Sequence, residues 1–357
     1  MVRKLKIAVG MSGGVDSSVA AALLSEQGHD VVGVTLKLWG GQSDSGCCSV
    51  SDVEDARFVA KKLGIDHHVW GFVDEFNEHV VYPYVDSHAK YETPNPCIEC
   101  NRHLKFDLMA KRAVRLGFDA IATGHYARLK FDEQNQVPVL MRSLDTKKDQ
   151  SYVLSKIPKE TLKICKFPLG DYTKTEVRQV AEKLGLLTAD KPDSQDVCFI
   201  LATGGRREFL TDKIKFNSAK IVEDSSNENL GEIEAMELLT VGQRRDIGIS
   251  RYGQRQYVLS LNSDKKEVRI GPADKLLTRN IYFKESHFLL DELKDITTIY
   301  VQGSAHGRPV KSTFFADGKV VFDKPQRKVA PGQIIAFYDE ENSVVLGSAT
   351  VIANPHD

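Results

Sequence analysis

The chain has 357 residues, of which 41% are hydrophobic and 27% charged, and its formal net charge at pH 7 is −1. This length predicts two or three domains, and the near-neutral charge argues against a protein that coats nucleic acid through bulk positive charge. No apolar run approaches the roughly 20 residues that a membrane span needs, and the N-terminus enters a predicted strand instead of a signal peptide. We therefore expect a cytoplasmic protein with no membrane contact.

Strand and helix patterns alternate through the first part of the chain. The predicted elements are a strand at 5–9, a helix at 15–24, a strand at 31–39, a helix opening at the capping box 51–54, a strand at 67–73, a helix at 105–116, a strand at 120–127 and a helix opening at the capping box 173–176. This alternation predicts a doubly wound parallel α/β sheet. Ligands of such sheets bind beyond the carboxyl ends of the strands, where the loops after Val9, Leu36 and Gly124 would meet.

Beyond about residue 205 the helical periodicity gives way to short β-prone runs separated by Gly, Pro, Asn and Asp. The runs are 238–241, 256–260, 267–270, 298–301, 310–315, 319–322, 334–338 and 344–351. They predict a small β-rich middle domain and a C-terminal β-barrel. The expected domain bounds are 1–205, 206–275 and 276–357.

A glycine-rich turn joins the first strand to the first helix. Its residues are Gly10, Met11, Ser12, Gly13, Gly14, Val15, Asp16 and Ser17. Adjacent glycines let several backbone N–H groups face one point, and the helix N-terminus adds partial positive charge, so the turn suits a phosphate. No Lys-Ser or Lys-Thr follows, which excludes a Walker loop. The turn resembles the SGGxDS loop of the PP-loop ATP pyrophosphatases; the alternative is an ordinary turn followed by an early helix carboxylate.

Six cysteines in a cytosolic chain argue against a disulfide framework, so their spacing matters most. Cys97 and Cys100 lie in one proline-bounded loop that leads into a helix, and Cys198 lies in a second. A thiol near a helix N-terminus is the better ligand and nucleophile. A Cys-x-x-Cys is also half of a structural zinc knuckle, but a three-cysteine set leaves one coordination position open, which suits chemistry. Cys165 is interpreted as a packing residue, and Cys47 and Cys48 have no assigned role.

Seven motifs then resemble, in the same order, those of the tRNA-specific 2-thiouridylases, the MnmA/TrmU family. They are SGGVDSS, the TPNP loop with its cysteines, ATGHYAR, KDQSYVL, DSQDVCFI, TVGQRR and APGQ, and they span the chain. The resemblance implies a PP-loop, adenine nucleotide alpha hydrolase-like first domain and a tRNA-binding barrel. It implies an enzyme that uses ATP to adenylate O2 of the wobble uridine, position 34, of the tRNAs for lysine, glutamate and glutamine. Sulfur from a protein persulfide then replaces that oxygen.

The resemblance also implies roles for individual residues. The residues implied to hold ATP are Gly10, Met11, Ser12, Gly13, Gly14, Val15, Asp16, Ser17, Leu36 and Gly124. Those implied to contact tRNA are Asn95, Pro96, Cys97, His125, Lys148, Asp149, Gln150, Ser304, Ala305 and Gln333. Cys100 matches the nucleophile and Cys198 the persulfide cysteine. Magnesium would accompany ATP, a relay protein or cysteine desulfurase would donate sulfur, and the expected state is a monomer.

The sulfur route is where this sequence departs from many relatives, which have Asp at the position of Cys97. With Asp there, Cys100 would attack a persulfide on Cys198 and form a disulfide by thiol exchange. With cysteine there, Cys97, Cys100 and Cys198 would bind three irons of a four-iron, four-sulfur cluster, whose fourth iron carries hydrosulfide. The ligand count favours the cluster, and the persulfide route stays open.

Smaller departures lie in the β domains. Ile233 and Asp246 replace a family His and Gly, and Ser304-Ala305-His306 stands where relatives carry Arg-Tyr-Arg, which should weaken phosphate contact there. The tRNA would then depend more on basic pairs elsewhere: Lys147, Lys148, Arg206, Arg207, Arg244 and Arg245. Two competing interpretations are another PP-loop ligase, such as an argininosuccinate or GMP synthetase relative, and a catalytically idle RNA-binding or iron–sulfur storage protein. The three-cysteine set disfavours the first and the intact loop the second.

Overall fold

A computed structural model describes residues 3–39, 49–132, 137–191, 197–245, 247, 250–251 and 254–355. The chain folds into two compact units. The first contains Met1–Val81, Pro96–Gly205 and Ser343–Leu346, and the second contains Tyr82–Asn95, Arg206–Asn342 and Gly347–Asp357. Cys47, Cys48, Asp246 and residues 192–196 of the second cysteine loop lie outside the described residues.

A five-stranded parallel sheet forms the centre of the first unit. Its strands are β1 (Lys6–Gly10), β2 (Asp30–Lys37), β3 (Asp66–Gly71), β4 (Ala120–Thr123) and β7 (Cys165–Lys166), in the order β3-β2-β1-β4-β7. An antiparallel hairpin of β5 (Ala127–Asp132) and β6 (Val137–Arg142) follows β4. The central strands are apolar and buried, as expected for strands covered on both faces. The predicted parallel α/β sheet is thereby confirmed.

Helices connect these strands. They are α1 (Val15–Glu26), α2 (Val50–Leu63), α3 (Val73–Phe76), α5 (Pro96–Glu99), α6 (Met109–Arg115), α7 (Lys174–Lys183) and α8 (Cys198–Leu201), with π-helices at Asn77–Val81 and Cys100–Leu108 and 3-10 turns at Tyr152–Leu154 and Lys159–Ile164. Small residues of α1, among them Ala20 and Ala21, pack in one core with Ile7 and Val9 of β1. That core fixes the helix directly behind the glycine-rich turn.

The structure corrects three local predictions. The N-cap of α2 is Ser49, whose hydroxyl accepts from the Asp52 N–H, so the helix begins before the predicted capping box. The strand predicted at 120–127 ends at Thr123 and a separate hairpin begins at Ala127. The helix predicted from residue 105 is part of one helical run that begins at Pro96. The capping box formed by Thr173 and Glu176 is confirmed.

The second unit contains a mixed sheet and a closed barrel. The sheet has the order β12-β13-β8-β9, from β8 (Ala219–Glu223), β9 (Asn229–Ile233), β12 (Tyr257–Asn262) and β13 (Glu267–Gly271), beside the short hairpin of β10 (Ser250–Arg251) and β11 (Gln254–Arg255). The barrel has the order β14-β17-β16-β15-β18-β19, from β14 (Leu277–Phe288), β15 (Thr297–Gln302), β16 (Val310–Phe315), β17 (Lys319–Arg327), β18 (Ile334–Tyr338) and β19 (Val345–Ile352). Both predicted β portions are confirmed.

Few helices accompany these strands. They are α4 (Tyr82–Ala89) and α9 (Arg206–Thr211), with 3-10 turns at Met236–Leu238 and Ala273–Leu276. The first of these turns includes Leu238, so the prediction of a strand at 238–241 is wrong.

Aromatic side chains pack inside the barrel. The rings of Phe283, Phe288, Phe314 and Phe337 stack or meet edge to face, with centroids 5.5 to 6.4 Å apart. These rings contribute an apolar core to the closed barrel.

Candidate active site

The glycine-rich turn lies at the carboxyl edge of the parallel sheet. Gly10, the last residue of β1, is in register with Val34 of β2 and Thr123 of β4, and the Met11 N–H donates to the Val34 carbonyl over 2.8 Å. Gly13 has φ +71°, and a Cβ there would collide with the backbone of Asp52. The turn is thus held between the strand end and the first turn of α2, and this position requires glycine.

Helix α1 begins directly after the turn, and its N-cap residue is Gly14, which has no side chain to cap the helix. The hydroxyl of Ser18 donates to the Gly14 carbonyl over 2.8 Å, and the Ser12 N–H donates to the Ser17 hydroxyl over 3.2 Å. Backbone N–H groups and hydroxyls therefore cluster where the positive end of the helix dipole lies. This is the donor set that a phosphate requires.

Two side chains that the sequence analysis did not assign bind the Asp16 carboxylate. The Tyr126 hydroxyl donates to Asp16 Oδ1 over 2.7 Å, and Lys174 Nζ lies 2.7 and 2.9 Å from the two carboxylate oxygens. Tyr126 is buried, and the side chain of Lys174 is 12% exposed. Tyr126 lies in the ATGHYAR motif and Lys174 opens α7. Both motifs were recognised in the sequence, but neither pattern shows that these two side chains contact Asp16.

Lys191 links the second cysteine loop to the turn. Its ammonium donates to the Gly13 carbonyl over 3.1 Å and to carboxylate oxygens of Asp52 and Asp55 over 2.7 and 2.8 Å. Burial by itself lowers the pKa of Lys191, but the two carboxylates outweigh it and raise that pKa above its usual value. A second cation is therefore fixed beside the turn, and sequence reasoning missed it as well.

The loops after β2 and β4 border the same edge of the sheet. Leu36 is buried near the end of β2, and a Cβ on Gly124 would lie 2.6 Å from the backbone carbonyl carbon of Asp16. His125 is half-buried against the rings of Phe106 and Phe167, and its Nδ1 lies 2.8 Å from the Thr123 hydroxyl. Desolvation holds the pKa of His125 well below its usual range, so this side chain is a neutral imidazole.

Cys97 and Cys100 lie on one helical run from Pro96 to Arg115. Ile98, Asn101 and Leu104 face the core at helical spacing, whereas Cys97 is exposed and Cys100 half-buried. Cys198 is half-buried and is the first residue of α8. None of these three cysteines forms a disulfide bond. Cys165 is buried in β7, and burial raises the pKa of its thiol, in agreement with a packing role.

The iron–sulfur ligand set expected from Cys97, Cys100 and Cys198 stays a prediction. Within the described ranges, no three or more His, Cys, Asp or Glu side chains lie close enough together to hold a metal ion. Cys97, Cys100 and Cys198 therefore do not form a ligand set here.

A charged cluster anchors the residue before Cys100. Lys156 Nζ lies 3.1 Å from Glu99 Oε1, and His103 Nε2 lies 3.4 Å from Glu99 Oε2. Burial by itself raises the pKa of Glu99, but the hydrogen bond with His103 and the charge of Lys156 lower it to about 2. The ring of His79 stacks on His103 with centroids 4.7 Å apart. The start of the cysteine helix is thus fixed by an ionised carboxylate.

The KDQ segment of the sequence, residues 148–150, makes extensive internal contacts. Asp149 accepts hydrogen bonds from Arg142, from Ser143 and from both the N–H and the hydroxyl of Ser151, and its side chain is 6% exposed. Its carboxylate therefore braces the loop. Lys148 is half-buried and Gln150 exposed.

Other residues implied to contact tRNA lie in the second unit. Gln333 Nε2 donates to the Thr93 carbonyl over 2.6 Å, which ties the barrel to the loop that contains Asn95. The carbonyls of Ser304 and Ala305 accept from Gln302 Nε2 over 2.9 and 3.2 Å. Pro96, at the start of the cysteine helix in the first unit, is buried.

Three family models match consecutive parts of the chain. They are described as "tRNA methyl transferase HUP domain" over residues 5–202, "tRNA methyl transferase PRC-barrel domain" over 207–272 and "Aminomethyltransferase beta-barrel domain" over 278–351. The tRNA-specific 2-thiouridylase MnmA of Clostridioides difficile is 37% identical over 98% of this chain and 99% of its own length. That of Saccharopolyspora erythraea is 42% identical over 98% of this chain and 99% of its own length.

The chain belongs to the tRNA-specific 2-thiouridylase family. The match of this 2-thiouridylase family member to its relatives runs through all three parts of the fold, including the turn and the cysteine loops. Among solved structures, the U34-tRNA thiolase NcsA from Methanococcus maripaludis aligns with a TM-score of 0.35 and 19% identity over 59% of this chain and 64% of its own. Within the described residues, every helix is too short or too polar to span a membrane.

Proposed function

We propose that this protein thiolates C2 of the wobble uridine, position 34, in the tRNAs for lysine, glutamate and glutamine. ATP is consumed, and AMP and pyrophosphate are released. The observation that carries the proposal is the glycine-rich turn with Asp16 held by Tyr126 and Lys174, in the same unit as the cysteines of both loops. Family membership favours tRNA uridine as the acceptor.

The first step makes the uridine oxygen a leaving group. A uridine carbonyl is a poor electrophile, and transfer of AMP to O2 allows that oxygen to leave as AMP. In our proposal the residues from Gly10 to Ser17 hold the ATP phosphates, and Leu36 and Gly124 line the nucleotide. Lys174 and Lys191 supply positive charge beside the turn. Magnesium bound with ATP would neutralise further phosphate charge.

The second step delivers sulfur through Cys198, carried as a persulfide. Its terminal sulfur attacks C2 of the adenylated uridine, the C2–O bond breaks, and AMP leaves with the bonding electrons. The Cys100 thiolate then attacks Sγ of Cys198, and the electrons of the S–S bond stay on the transferred sulfur. This releases 2-thiouridine and leaves a Cys100–Cys198 disulfide, which an external thiol reductant restores. A relay protein or cysteine desulfurase supplies the persulfide sulfur.

We favour this route over a cluster because the cysteines of the described chain do not gather into a metal-binding set. Cys97 is exposed, so in the persulfide route it is accessible as a resolving thiol. The alternative is a four-iron cluster on Cys97, Cys100 and Cys198. The two routes differ in the metal content of active protein.

We further propose that the tRNA is bound by both units. Asn95, Pro96 and Cys97 would lie against the target base, which must leave the anticodon stack to reach the site. His125, being neutral, would contact RNA by stacking or hydrogen bonding and not as a cation. The remaining proposed contacts are Lys148, Asp149, Gln150, Ser304, Ala305 and Gln333. The protein would act as a monomer with a catalytic domain at 1–205, a middle domain at 206–275 and a tRNA-binding barrel at 276–357.

Two substitutions test the assigned chemistry. Cys198→Ala removes the sulfur carrier and Asp16→Ala removes the carboxylate of the ATP site, so each should abolish thiolation. The measurement is the retardation of an unmodified glutamate tRNA in an organomercury gel after incubation with enzyme, ATP and sulfur donor. Asp171→Ala, an exposed carboxylate of the same unit, is the control and should thiolate as wild type does. Wild-type retardation with either test variant would contradict the role given to that residue.

The sulfur route is tested by Cys97→Asp together with the iron and acid-labile sulfide content of protein purified without air. The persulfide route predicts that the variant keeps its activity and that active wild-type protein contains no iron. About four irons and four sulfides per active chain, with activity lost in Cys97→Asp, would establish the cluster instead. Zinc in an inactive protein would indicate a structural cysteine site.

A further inference from the structure

The segment from Asp145 to Gln150 binds both residues that hold Asp16. Gln150 Oε1 accepts from the Tyr126 N–H over 2.9 Å, and the Gln150 N–H donates to the Tyr126 carbonyl over 2.8 Å. Asp145 Oδ2 accepts from the Lys174 N–H over 2.9 Å. We propose that Gln150 and Asp145 are positioning residues, through which tRNA bound at this segment sets the geometry of the ATP site. The tRNA part of this inference rests on the proposed function.

The geometry at Asp16 leaves little freedom to its partners. Tyr126 is 2% exposed, and its hydroxyl reaches Asp16 over 2.7 Å from a backbone that Gln150 clamps on both its N–H and its carbonyl. Hydrogen bonds weaken steeply as distance and angle depart from their optimum, so a small displacement of this backbone changes the bond to Asp16. The clamp therefore determines where the carboxylate of the ATP site lies.

The same segment also holds Lys174, the second partner of Asp16, through Asp145. Its N–H bonds to the carboxylate of Asp145 at the start of α7, while its ammonium bonds to Asp16. The same Asp145 accepts from the Lys147 N–H over 3.0 Å, and its carbonyl accepts from the Lys148 N–H over 3.1 Å. A shift of the segment would thus displace the backbone of Lys174, whose ammonium neutralises Asp16.

Internal hydrogen bonds brace the segment. The buried carboxylate of Asp149 bonds both ends of the loop, at Ser143 and Ser151, and pairs with Arg142 over 2.6 Å. In contrast, the side chain of Gln150 is exposed although its oxygen is bonded to Tyr126. An RNA that contacts this exposed amide acts directly on the clamp. Binding of RNA and binding of ATP are then linked, and linkage is reciprocal.

The experiment measures the affinity of a non-hydrolysable ATP analogue by titration, with and without unmodified glutamate tRNA. The proteins are wild type, Gln150→Ala, Tyr126→Phe and the double variant. Gln150→Ala removes the hydrogen bond that the Tyr126 N–H donates to Gln150 Oε1. We therefore expect this variant to bind the analogue roughly five- to tenfold more weakly, even without tRNA. The fold-loss of analogue affinity in the double variant should be smaller than the product of the two single fold-losses, because both substitutions act on the same hydrogen bond to Asp16. Any strengthening of analogue binding by tRNA should shrink in Gln150→Ala.

Two further variants separate positioning from loop disruption. Thr146→Ala changes an exposed residue of the same loop and should leave analogue binding as in wild type. Asp145→Asn keeps one acceptor oxygen, for either the Lys174 N–H or the Lys147 N–H, and should weaken analogue binding less than Asp145→Ala does.

Unchanged analogue binding by Gln150→Ala without tRNA, combined with weaker tRNA binding alone, would overturn the proposal and leave Gln150 as a simple RNA contact. Multiplicative effects of Gln150→Ala and Tyr126→Phe would overturn it as well. Failure of the proposed function is distinguishable, since it would appear as no thiolation by wild type while the tRNA-free effect on ATP analogue binding is intact.

Discussion

Gly124 shows how closely the ATP site is packed at the scale of one residue. Its backbone lies against the first turn of α1, where an added Cβ would be 2.6 Å from both the carbonyl carbon of Asp16 and the N–H nitrogen of Ser17. Real Cβ atoms do not approach backbone so closely, so either the helix start or the end of β4 must shift. Gly124→Ala should therefore displace the phosphate-binding turn while leaving the sheet folded.

We expect Gly124→Ala to weaken ATP binding by at least about tenfold, which corresponds to roughly 1.4 kcal/mol. The measurement is calorimetric titration with a non-hydrolysable ATP analogue, with circular dichroism as the check on folding. Gly71→Ala is the matched control, because an added Cβ there meets nothing within 4 Å. Equal affinities of the two variants would show that the contact between β4 and α1 does not shape the ATP site.

The residues of the turn could be predicted from the sequence, whereas the partners of Asp16 could not. The glycines and Asp16 form a local pattern between a strand and a helix. Tyr126 and Lys174 lie 110 and 158 residues further along the chain, and their approach depends on the order of strands in the sheet. The sequence shows that Tyr126 and Lys174 belong to motifs, but tertiary packing determines which group each side chain contacts.

At the scale of elements, ion pairs of Glu99 stabilise the start of the helical run that contains Cys97 and Cys100. The side chains of Glu99 and Lys156 are 23% and 6% exposed and lie 3.1 Å apart. The pKa of Glu99 is about 2 in the folded chain against 4.5 for the free side chain. Folding therefore favours the ionised carboxylate, and this contribution is complete above pH 4.5 and is lost as the pH falls from 4.5 to about 2.

Glu99→Gln should accordingly lower the free energy of unfolding at pH 7 by about 2–3 kcal/mol, and the difference from wild type should disappear near pH 2. Urea unfolding followed by tryptophan fluorescence at several pH values measures both. The control is Glu54→Gln, which breaks an exposed pair with Arg57 and should cost no more than about 0.5 kcal/mol. A loss for Glu99→Gln that is equally small, or that does not change with pH, would contradict this account.

The elements that the sequence missed share a physical reason. β9 is largely exposed and has the sequence NLGEI, so its strand conformation depends on pairing with β8 and not on an apolar pattern. β7 has two residues and exists because Cys165 and Lys166 pair with β4. The strand predicted at 120–127 was a continuous β-prone run, but the chain leaves the sheet at Gly124 to form the site. Long-range pairing determines these elements.

At the scale of the whole molecule, the chain consists of two units with separate cores. The change of pattern near residue 205 was visible in the sequence, but the assignment of residues 82–95 to the second unit was not. Those residues precede the cysteine loop, and the contacts that hold them come from far along the chain. The ring of Tyr84 meets Phe209 at 5.9 Å, and His88 Nδ1 lies 3.0 Å from the Glu237 carbonyl.

His88 gives the second unit a pH dependence between pH 6.5 and about 4. The side chain is 1% exposed, and burial lowers its pKa from 6.5 to about 4. The unfolded chain therefore binds a proton at His88 before the folded chain does, and folding stability is lost as the pH falls from 6.5 to about 4. The loss amounts to at most about 3 kcal/mol. The stabilisation from Glu99 in the first unit is still complete over most of this range.

Acidification from pH 6.5 to 4.5 should thus loosen the second unit. Amide hydrogen exchange in the strands of the middle sheet and barrel should accelerate over this range. His88→Gln should be less stable at pH 7 and lose this acceleration, whereas the exposed His306→Gln should retain it. Exchange in the second unit that accelerates equally in wild type and His88→Gln would show that His88 does not control the acid response of this unit.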